Sequence, residues 1–256
     1  MSFADLLDAR SWTLCHEPFP HVRAQNVFKP AVYRELETAF ATILADRDWP
    51  SWPGVRFTRS IPSFDASAIS LDTRVGPPFD VFVSRPWQDL FARLFGIEPN
   101  GYMGGGLHHH APASKSGWVH SDFNPAWFAA GDGSEEIVVP RAHLCNYCTG
   151  PVPGANVPVR EMMRGVAIIY YLNNPEWQPG DGGETGLYRA VTDNVARPVV
   201  AVPPVNNSLV AFECSPRSFH SSITNRGPRN SIIVWVHQER AAAVAKWGES
   251  NIEQWR

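Results

Sequence analysis

Hydrophobic and polar positions along this chain follow two different periods. From Pro30 to Leu44, residues Val32, Leu36, Phe40 and Ile43 recur at helical spacing behind a proline suited to a first turn. Residues 86–95 repeat the pattern: Pro86 opens, Leu90, Phe91 and Leu94 share a face, and Gly96 closes. Between these predicted helices, residues 49–80 are rich in Trp, Pro, Ser and Asp and read as irregular connection. Beyond Gly96 the character changes. Short apolar or alternating segments at 101–110, 117–123, 164–172, 185–190, 197–202, 207–213 and 231–237 are separated by Gly, Pro and Asn clusters. Val, Ile, Tyr and Trp dominate several of them, as strands require. A last, Ala-rich segment over 239–247 reads as helix.

Recurring short strands with no helices between them predict an antiparallel sandwich, barrel or jelly roll. The expected architecture is mainly β with flanking helices. Residues 1–98 form a mainly helical or irregular N-terminal third, 99–240 the β core, and 241–256 a C-terminal helix. No internal repeat or linker divides the chain, and its 256 residues suit one domain over 1–256.

Charge narrows the function classes. The formal net charge is -3, which gives no global attraction to phosphate backbones or anionic lipid, so nucleic acid and membrane are not expected as partners. No apolar run approaches the ~20 residues of a membrane helix. Met1-Ser-Phe-Ala-Asp5 lacks the basic start and apolar stretch of a secretion signal, so the cytoplasm is the expected location. Nothing indicates an oligomer. Of the four cysteines, Cys15, Cys145, Cys148 and Cys214, only Cys145 and Cys148 form a CxxC. One such pair without a second reads as two reduced thiols in a loop, although His143 lies nearby.

The candidate chemistry lies in the β region. Trp118-Val-His120-Ser-Asp122 is an HxD step, and residues i and i+2 of a strand point to one face, so imidazole and carboxylate can reach one ion. His220 follows the strand-like Ser208–Phe212 and a turn, and supplies a third ligand. Two His and one carboxylate on one side of a metal leave open positions, the pattern of non-haem Fe(II) oxygenases rather than of closed structural zinc. Arg229 opens the apolar strand Arg229–Trp235 and shares a face with Trp235. A buried guanidinium needs an anion. A salt bridge to a protein carboxylate would satisfy Arg229 taken alone; beside the HxD step and the distal His, a bound dicarboxylate explains it better.

From about Leu107 to Trp235 the chain resembles the prolyl 4-hydroxylase-like branch of the Fe(II)/2-oxoglutarate dioxygenases. The resemblance rests on Gly117–Asp122, Arg164–Asn173 ending in Tyr-Leu-Asn, Gly180-Asp-Gly-Gly-Glu-Thr185, Phe219-His220 and Arg229–Trp235. It implies a double-stranded β-helix, the cupin-like jelly roll, as the core. It implies that His120, Asp122 and His220 ligate Fe(II) and that Arg229 pairs with the distal carboxylate of 2-oxoglutarate. Tyr171 stands where relatives offer a phenol to that carboxylate. His110 stands where relatives carry another tyrosine near the cosubstrate. Related halogenases lack the carboxylate ligand, so Asp122 favours hydroxylation, with O2 as oxidant, succinate and CO2 as co-products, and ascorbate as a supporting reductant.

With no partner domain or basic stripe, a small molecule (an amino acid or natural-product intermediate) is the expected substrate. The alternatives are a protein or peptide side chain, or a non-enzymatic cupin-like sensor of metal and 2-oxoglutarate. A metal-dependent hydrolase gives no separate reason for Arg229. The long stretch 123–163 reads as a lid that begins beside the metal site, with Asn124, Trp127 and Arg141 expected to hold substrate.

Overall fold

The computed structural model describes residues 3–8, 11–45, 58–61, 65–73, 76–131 and 133–255. In chain order these form α1 (Phe3–Leu6), β1 (Ser11–Cys15), β2 (His21–Gln25), α2 (Pro30–Ala45), β3 (Thr58–Ile61), β4 (Ala66–Ser70), α3 (Arg85–Phe95), β5 (Met103–His110), β6 (Pro125–Ala129), β7 (Cys145–Asn146) and β8 (Gly150–Pro151). There follow β9 (Val159–Tyr171), β10 (Thr185–Tyr188), β11 (Val200–Val202), β12 (Ser208–Glu213), β13 (Phe219–Ser222), β14 (Arg229–Glu239) and α4 (Arg240–Trp247). Short 3-10 turns occupy Phe79–Val83 and Glu249–Asn251.

The two predicted N-terminal helices form where their period places them. α2 buries Leu36, Phe40 and Ile43. α3 starts at Ser84, whose side chain accepts from the Trp87 N–H, and ends at Gly96 in the left-handed region at φ 65°. Both pack on one face of a nine-stranded antiparallel sheet, ordered β1-β2-β12-β9-β14-β5-β4-β3, with β6 paired to the first part of β9. Alternation sorts the central strands. Val166, Ile168 and Tyr170 of β9 and Ile232, Val234 and Val236 of β14 meet the helices. Ala167, Ile169, Tyr171, Ile233 and Trp235 point the other way, toward Leu187 and Val202 of a three-stranded sheet ordered β11-β10-β13. Covered on both faces, β9 reads as an unbroken apolar run rather than an alternating one.

Four expectations need correction. The N-terminal third is not mainly helical: β1 and β2 extend one edge of the large sheet through β12, and β3 and β4 the other through β5. These strands cover edges that would otherwise present unpaired backbone, and Val22 and Ala24 in β2 are too few apolar positions to announce a strand. The connection expected over 49–80 contains β3 and β4; residues 49–57, 62–64 and 74–75 lie outside the described residues. The segment 117–123 forms no strand beyond a bridge at His120. The C-terminal helix expected over 241–256 stops at Trp247, where Gly248 closes it, and residues 252–255 run on without regular structure.

One irregularity positions the site. β9 and β14 pair Trp235 with Ala167 and Val236 with Val166, then jump to His237 with Arg164. Gly165 is the extra residue of a β-bulge. A side chain there would meet Ile97 Cδ1 at 2.9 Å and the Val236 carbonyl at 3.2 Å, so glycine is required for close approach. The bulge reverses the alternation, and Arg164 emerges on the same face as Ala167 and Trp235 instead of among Val166 and Ile168. Among the described residues no helix is long and apolar enough to cross a membrane.

Candidate active site

The two sheets meet around a cavity of about 340 Å³. His220, on β13, pairs with Leu187 of β10 on one side. On its other side His220 exchanges both backbone hydrogen bonds with His120, at 2.8 and 3.1 Å. Residues paired this way lie side by side, and their rings stand 4.3 Å apart. Each imidazole is oriented from behind: Nδ1 of His120 donates to the Trp118 carbonyl at 3.0 Å and Nδ1 of His220 to the Ser218 carbonyl at 3.1 Å. That tautomer leaves both Nε2 lone pairs facing the cavity.

Asp122 joins them by a route that strand alternation did not supply. Its backbone is left-handed at φ 59°, a region Asp tolerates, and its carbonyl accepts from the Asn124 N–H at 2.8 Å. The turn swings the carboxylate so that Oδ1 is 3.6 Å from His120 Nε2 and Oδ2 is 3.6 Å from His220 Nε2. These separations are too long for good hydrogen bonds. They suit donors that share one ion, since ligands bonded at ~2.1 Å stand roughly 3–3.6 Å apart. All three donor atoms lie within 4.8 Å of one another. This set could hold a metal ion.

Burial alone would raise the Asp122 carboxyl, but the Arg164 guanidinium and both imidazoles override it and hold it well below the usual carboxylate range. Arg164 ion-pairs with Oδ1. The Trp235 indole N–H donates to Oδ2 at 2.8 Å. Burial, reinforced by His220, pushes His120 down to about 4, so it stays neutral and able to ligate at neutral pH.

Arg229 lies in the same cavity and is held differently. It is 3% exposed, and all its hydrogen-bond partners are neutral: the Gly183 carbonyl at 2.7 Å, Thr185 Oγ1 at 3.1 Å and Ser231 Oγ at 3.4 Å. Among the described residues no carboxylate pairs with it, and burial lowers its pKa, whereas Asp122 and Tyr147 outweigh burial at Arg164 and raise it there. A buried cation without an acid is an anion site. A dicarboxylate such as 2-oxoglutarate fits it by charge and by the planar fork of the guanidinium.

Other expected site residues divide. His110 lines the cavity directly opposite Arg229 in the strand register. Tyr171 does not reach the wall; it is fully buried, and its hydroxyl meets Thr185 Oγ1 at 2.5 Å, so Thr185 presents the hydroxyl to the cavity. Asn124 lines the cavity and donates to the Glu253 carbonyl at 3.1 Å. Trp127 and Arg141 lie outside the wall. Trp127 stands beside Gly150 in the β6–β8 contact, and Arg141 is ion-paired to Glu135. The segment 123–163 is thus no irregular lid, because β6 joins the large sheet and β7–β8 form a hairpin. It contributes Asn124 and Cys148 to the wall, with Tyr147 beside it, whose hydroxyl lies 2.7 Å from His237 Nε2.

Sequence reasoning missed Arg164, Thr185, His108 and the C-terminal tail. Arg164 stacks between the Trp235 ring at 3.8 Å and the Trp255 ring at 4.3 Å. Like Arg229 it stands at the head of an apolar run, and the argument that singled out Arg229 applies to it unchanged. The tail had no signal, because Glu253, Gln254 and Trp255 reach the wall only through the path taken after Gly248.

Residues 156–237 match the family described as the 2OG-Fe(II) oxygenase superfamily, a span that includes Arg164, His220 and Arg229. The residues around the cavity fit the iron and 2-oxoglutarate that this family's description names. Prolyl 3-hydroxylase OGFOD1 of Xenopus laevis is 42% identical over 78 residues, covering 29% of this chain and 15% of that protein. Prolyl 3,4-dihydroxylase OGFOD1 of Ostreococcus tauri is 39% identical over 82 residues, covering 29% and 16%. The chain therefore spans only a small part of the length of these curated relatives. Two solved structures share its fold. A Pseudomonas putida prolyl-4-hydroxylase aligns with a TM-score of 0.51 at 16% identity, over 90% of this chain and 92% of that one. A Trichoplax adhaerens prolyl hydroxylase in complex with a hypoxia inducible factor peptide fragment aligns with a TM-score of 0.53 at 15% identity, over 88% and 86%.

Proposed function

We propose that the chain is a hydroxylase of a protein or peptide residue, with a prolyl side chain as the first candidate, and that it works with Fe(II) and 2-oxoglutarate. The observation that carries this reading is one cavity holding a donor set of two imidazoles and an ionised Asp and, along the same wall, a buried guanidinium with no acid partner among the described residues. His120, Asp122 and His220 would hold Fe(II), and Arg229, backed by Thr185 and Tyr171, would hold the distal carboxylate of 2-oxoglutarate. Together with O2 this pair supplies oxidation of an unactivated C–H bond, with succinate and CO2 released.

The chain's own residues do the arranging. Backbone carbonyls fix both imidazoles, Arg164 and Trp235 fix the carboxylate, and Ala167, Ile169 and Ile233 give the wall an apolar stretch. We read the two facing sheets as a double-stranded β-helix, and residues 1–256 as one unit, because strands from the N-terminal third and from the C-terminal half share one sheet.

On substrate, the relatives favour the peptide alternative over the small-molecule expectation, since those named above are prolyl hydroxylases. The test is a mass-spectrometric screen of proline-containing peptides beside a library of amino acids and natural-product intermediates, with Fe(II), 2-oxoglutarate and ascorbate present. A gain of one oxygen on a peptide, coupled to succinate, supports the reading. Oxygen gain confined to the small molecules would return the substrate to that class.

A further inference from the structure

The floor of the cavity is a grid whose rows follow from strand register. β5 and β14 place His110 opposite Arg229, His108 opposite Ser231, Gly106 opposite Ile233 and Gly104 opposite Trp235. β9 continues these rows, with Tyr171 opposite Ser231, Ile169 opposite Ile233 and Ala167 opposite Trp235. One end carries the anion anchor, Arg229. The other carries the donor set, because the Trp235 indole holds Asp122. Rows on one face of a strand are ~7 Å apart. A five-carbon dicarboxylate reaching from Arg229 toward the donor set must therefore pass the row of His108.

His108 is placed to meet it. Its ring leans back along β5 toward the Asp122 end: a Cβ at Gly106 would stand 3.3 Å from its Nε2, so glycine at 106 leaves the imidazole its room. His108 lines the cavity at 8% exposure, and among the described residues no hydrogen bond reaches its ring. Its neighbour His109 points away, with Nδ1 at 2.8 Å from Asn230 Oδ1. Buried polar groups are normally satisfied, so an open imidazole in a cavity wall points to a ligand. Burial and then Arg229 push His108 down to about 4, which leaves a neutral ring with one donor and one acceptor.

We propose that His108 is a positioning residue for 2-oxoglutarate, holding the 2-oxo-acid end of the molecule while Arg229 holds the far carboxylate. The inference rests on the oxygenase reading above. It separates two jobs on one ligand: Arg229 recognises any dicarboxylate of this length, and His108 recognises the 2-oxo-acid group. A ring that merely fills space would make no such distinction.

The experiment is titration calorimetry of Mn(II)-loaded protein with 2-oxoglutarate and, separately, with glutarate, which has the same length and no oxo group. His108→Leu is expected to weaken 2-oxoglutarate binding roughly tenfold or more, the effect of one hydrogen bond to a charged group, and to leave glutarate within about twofold. His108→Gln, which keeps a donor, should recover most of the loss. Arg229→Ala should weaken both ligands. Retained glutarate binding also shows that the Leu variant is folded. The proposal is overturned if 2-oxoglutarate affinity is unchanged in His108→Leu, if both ligands weaken equally, or if the wild-type protein binds the two equally well. Wild-type protein that binds neither ligand would instead remove the oxygenase reading beneath it.

Discussion

Replacing Arg229 with methionine should move ligand affinity and protein stability in opposite directions. The guanidinium is almost fully buried, and its partners are one carbonyl and two hydroxyls. Removing it leaves the Gly183 carbonyl and the two hydroxyls short of a donor, a cost of about 1–3 kcal/mol that cavity water reduces. It also removes a buried charge with no acid beside it among the described residues, whose desolvation costs several kcal/mol. The second effect is larger, so the ligand-free Met variant should be as stable as wild type or more stable, by up to about 3 kcal/mol. Binding runs the other way. A buried, hydrogen-bonded carboxylate that loses its cationic partner loses about 2–5 kcal/mol, roughly a 30- to 4,000-fold rise in the dissociation constant for 2-oxoglutarate. Arg229→Lys keeps the charge without the fork and should fall between. Thermal unfolding without ligand and calorimetric titration of 2-oxoglutarate into Mn(II)-loaded protein measure the two effects. Unchanged affinity in the Met variant would refute the anchoring role. A clearly lowered Tm without ligand would refute the claim that the charge is held without an acid partner.

Arg164→Met should show the opposite stability effect, since it strands the Asp122 carboxylate in a buried site; a loss of about 3–5 kcal/mol is expected in denaturant unfolding, and a neutral result would mean that Trp235 alone satisfies Asp122. The ligand-free protein should also lose stability as pH falls from about 6.5 toward about 4, because burial lowers His108 and His120 to about 4 and His237 to about 3 from an ordinary 6.5. Between those values the unfolded chain binds more protons, so stability is full above the window and declines through it; His237→Phe should flatten the decline, and a flat profile in the wild-type protein would contradict the burial of these rings. Trp255→Ala should free the tail, which is tied down by its indole bond to the Pro125 carbonyl at 2.6 Å and by the stack on Arg164. Hydrogen exchange of the backbone amides of residues 252–255 should then rise at least about tenfold, and unchanged protection would show that the bonds of Glu253 to Phe123 and Asn124 hold the tail without the indole.

Local chemistry makes much of this protein legible in the amino-acid sequence. α2 announces itself because its buried face repeats at the helical period, and α3 by Pro86 and Gly96 at its ends, although of the face Leu90, Phe91 and Leu94 read for it only Phe91 is buried and Leu94 is exposed. The central strands are visible as apolar runs, since both of their faces are covered. The grouping of His120, Asp122 and His220 is readable because the first two are close in the chain and His220 and Arg229 stand in strand-like contexts. The small strands at the sheet edges are not readable in this way. Their pairing is decided by backbone edges that only the assembled sheet presents, and β2 and β4 have too few apolar side chains to mark them.

The remaining features depend on contacts between distant parts of the chain. Asp122 reaches its place through a left-handed turn, whereas simple alternation would have put it on a strand. Arg164 is the clearest case. Counting by twos from Tyr170 assigns it to the core face with Val166 and Ile168, yet it lies between two tryptophans with Asp122 in reach. The cause is one extra residue, Gly165, that β14 cannot match, and whether a strand bulges is settled by its partner rather than by its own side chains. Trp255 belongs to the cavity for a similar reason: residues after Gly248 carry no periodic signal, and their course is set by hydrogen bonds to Phe123, Asn124 and Pro125, far away in the chain.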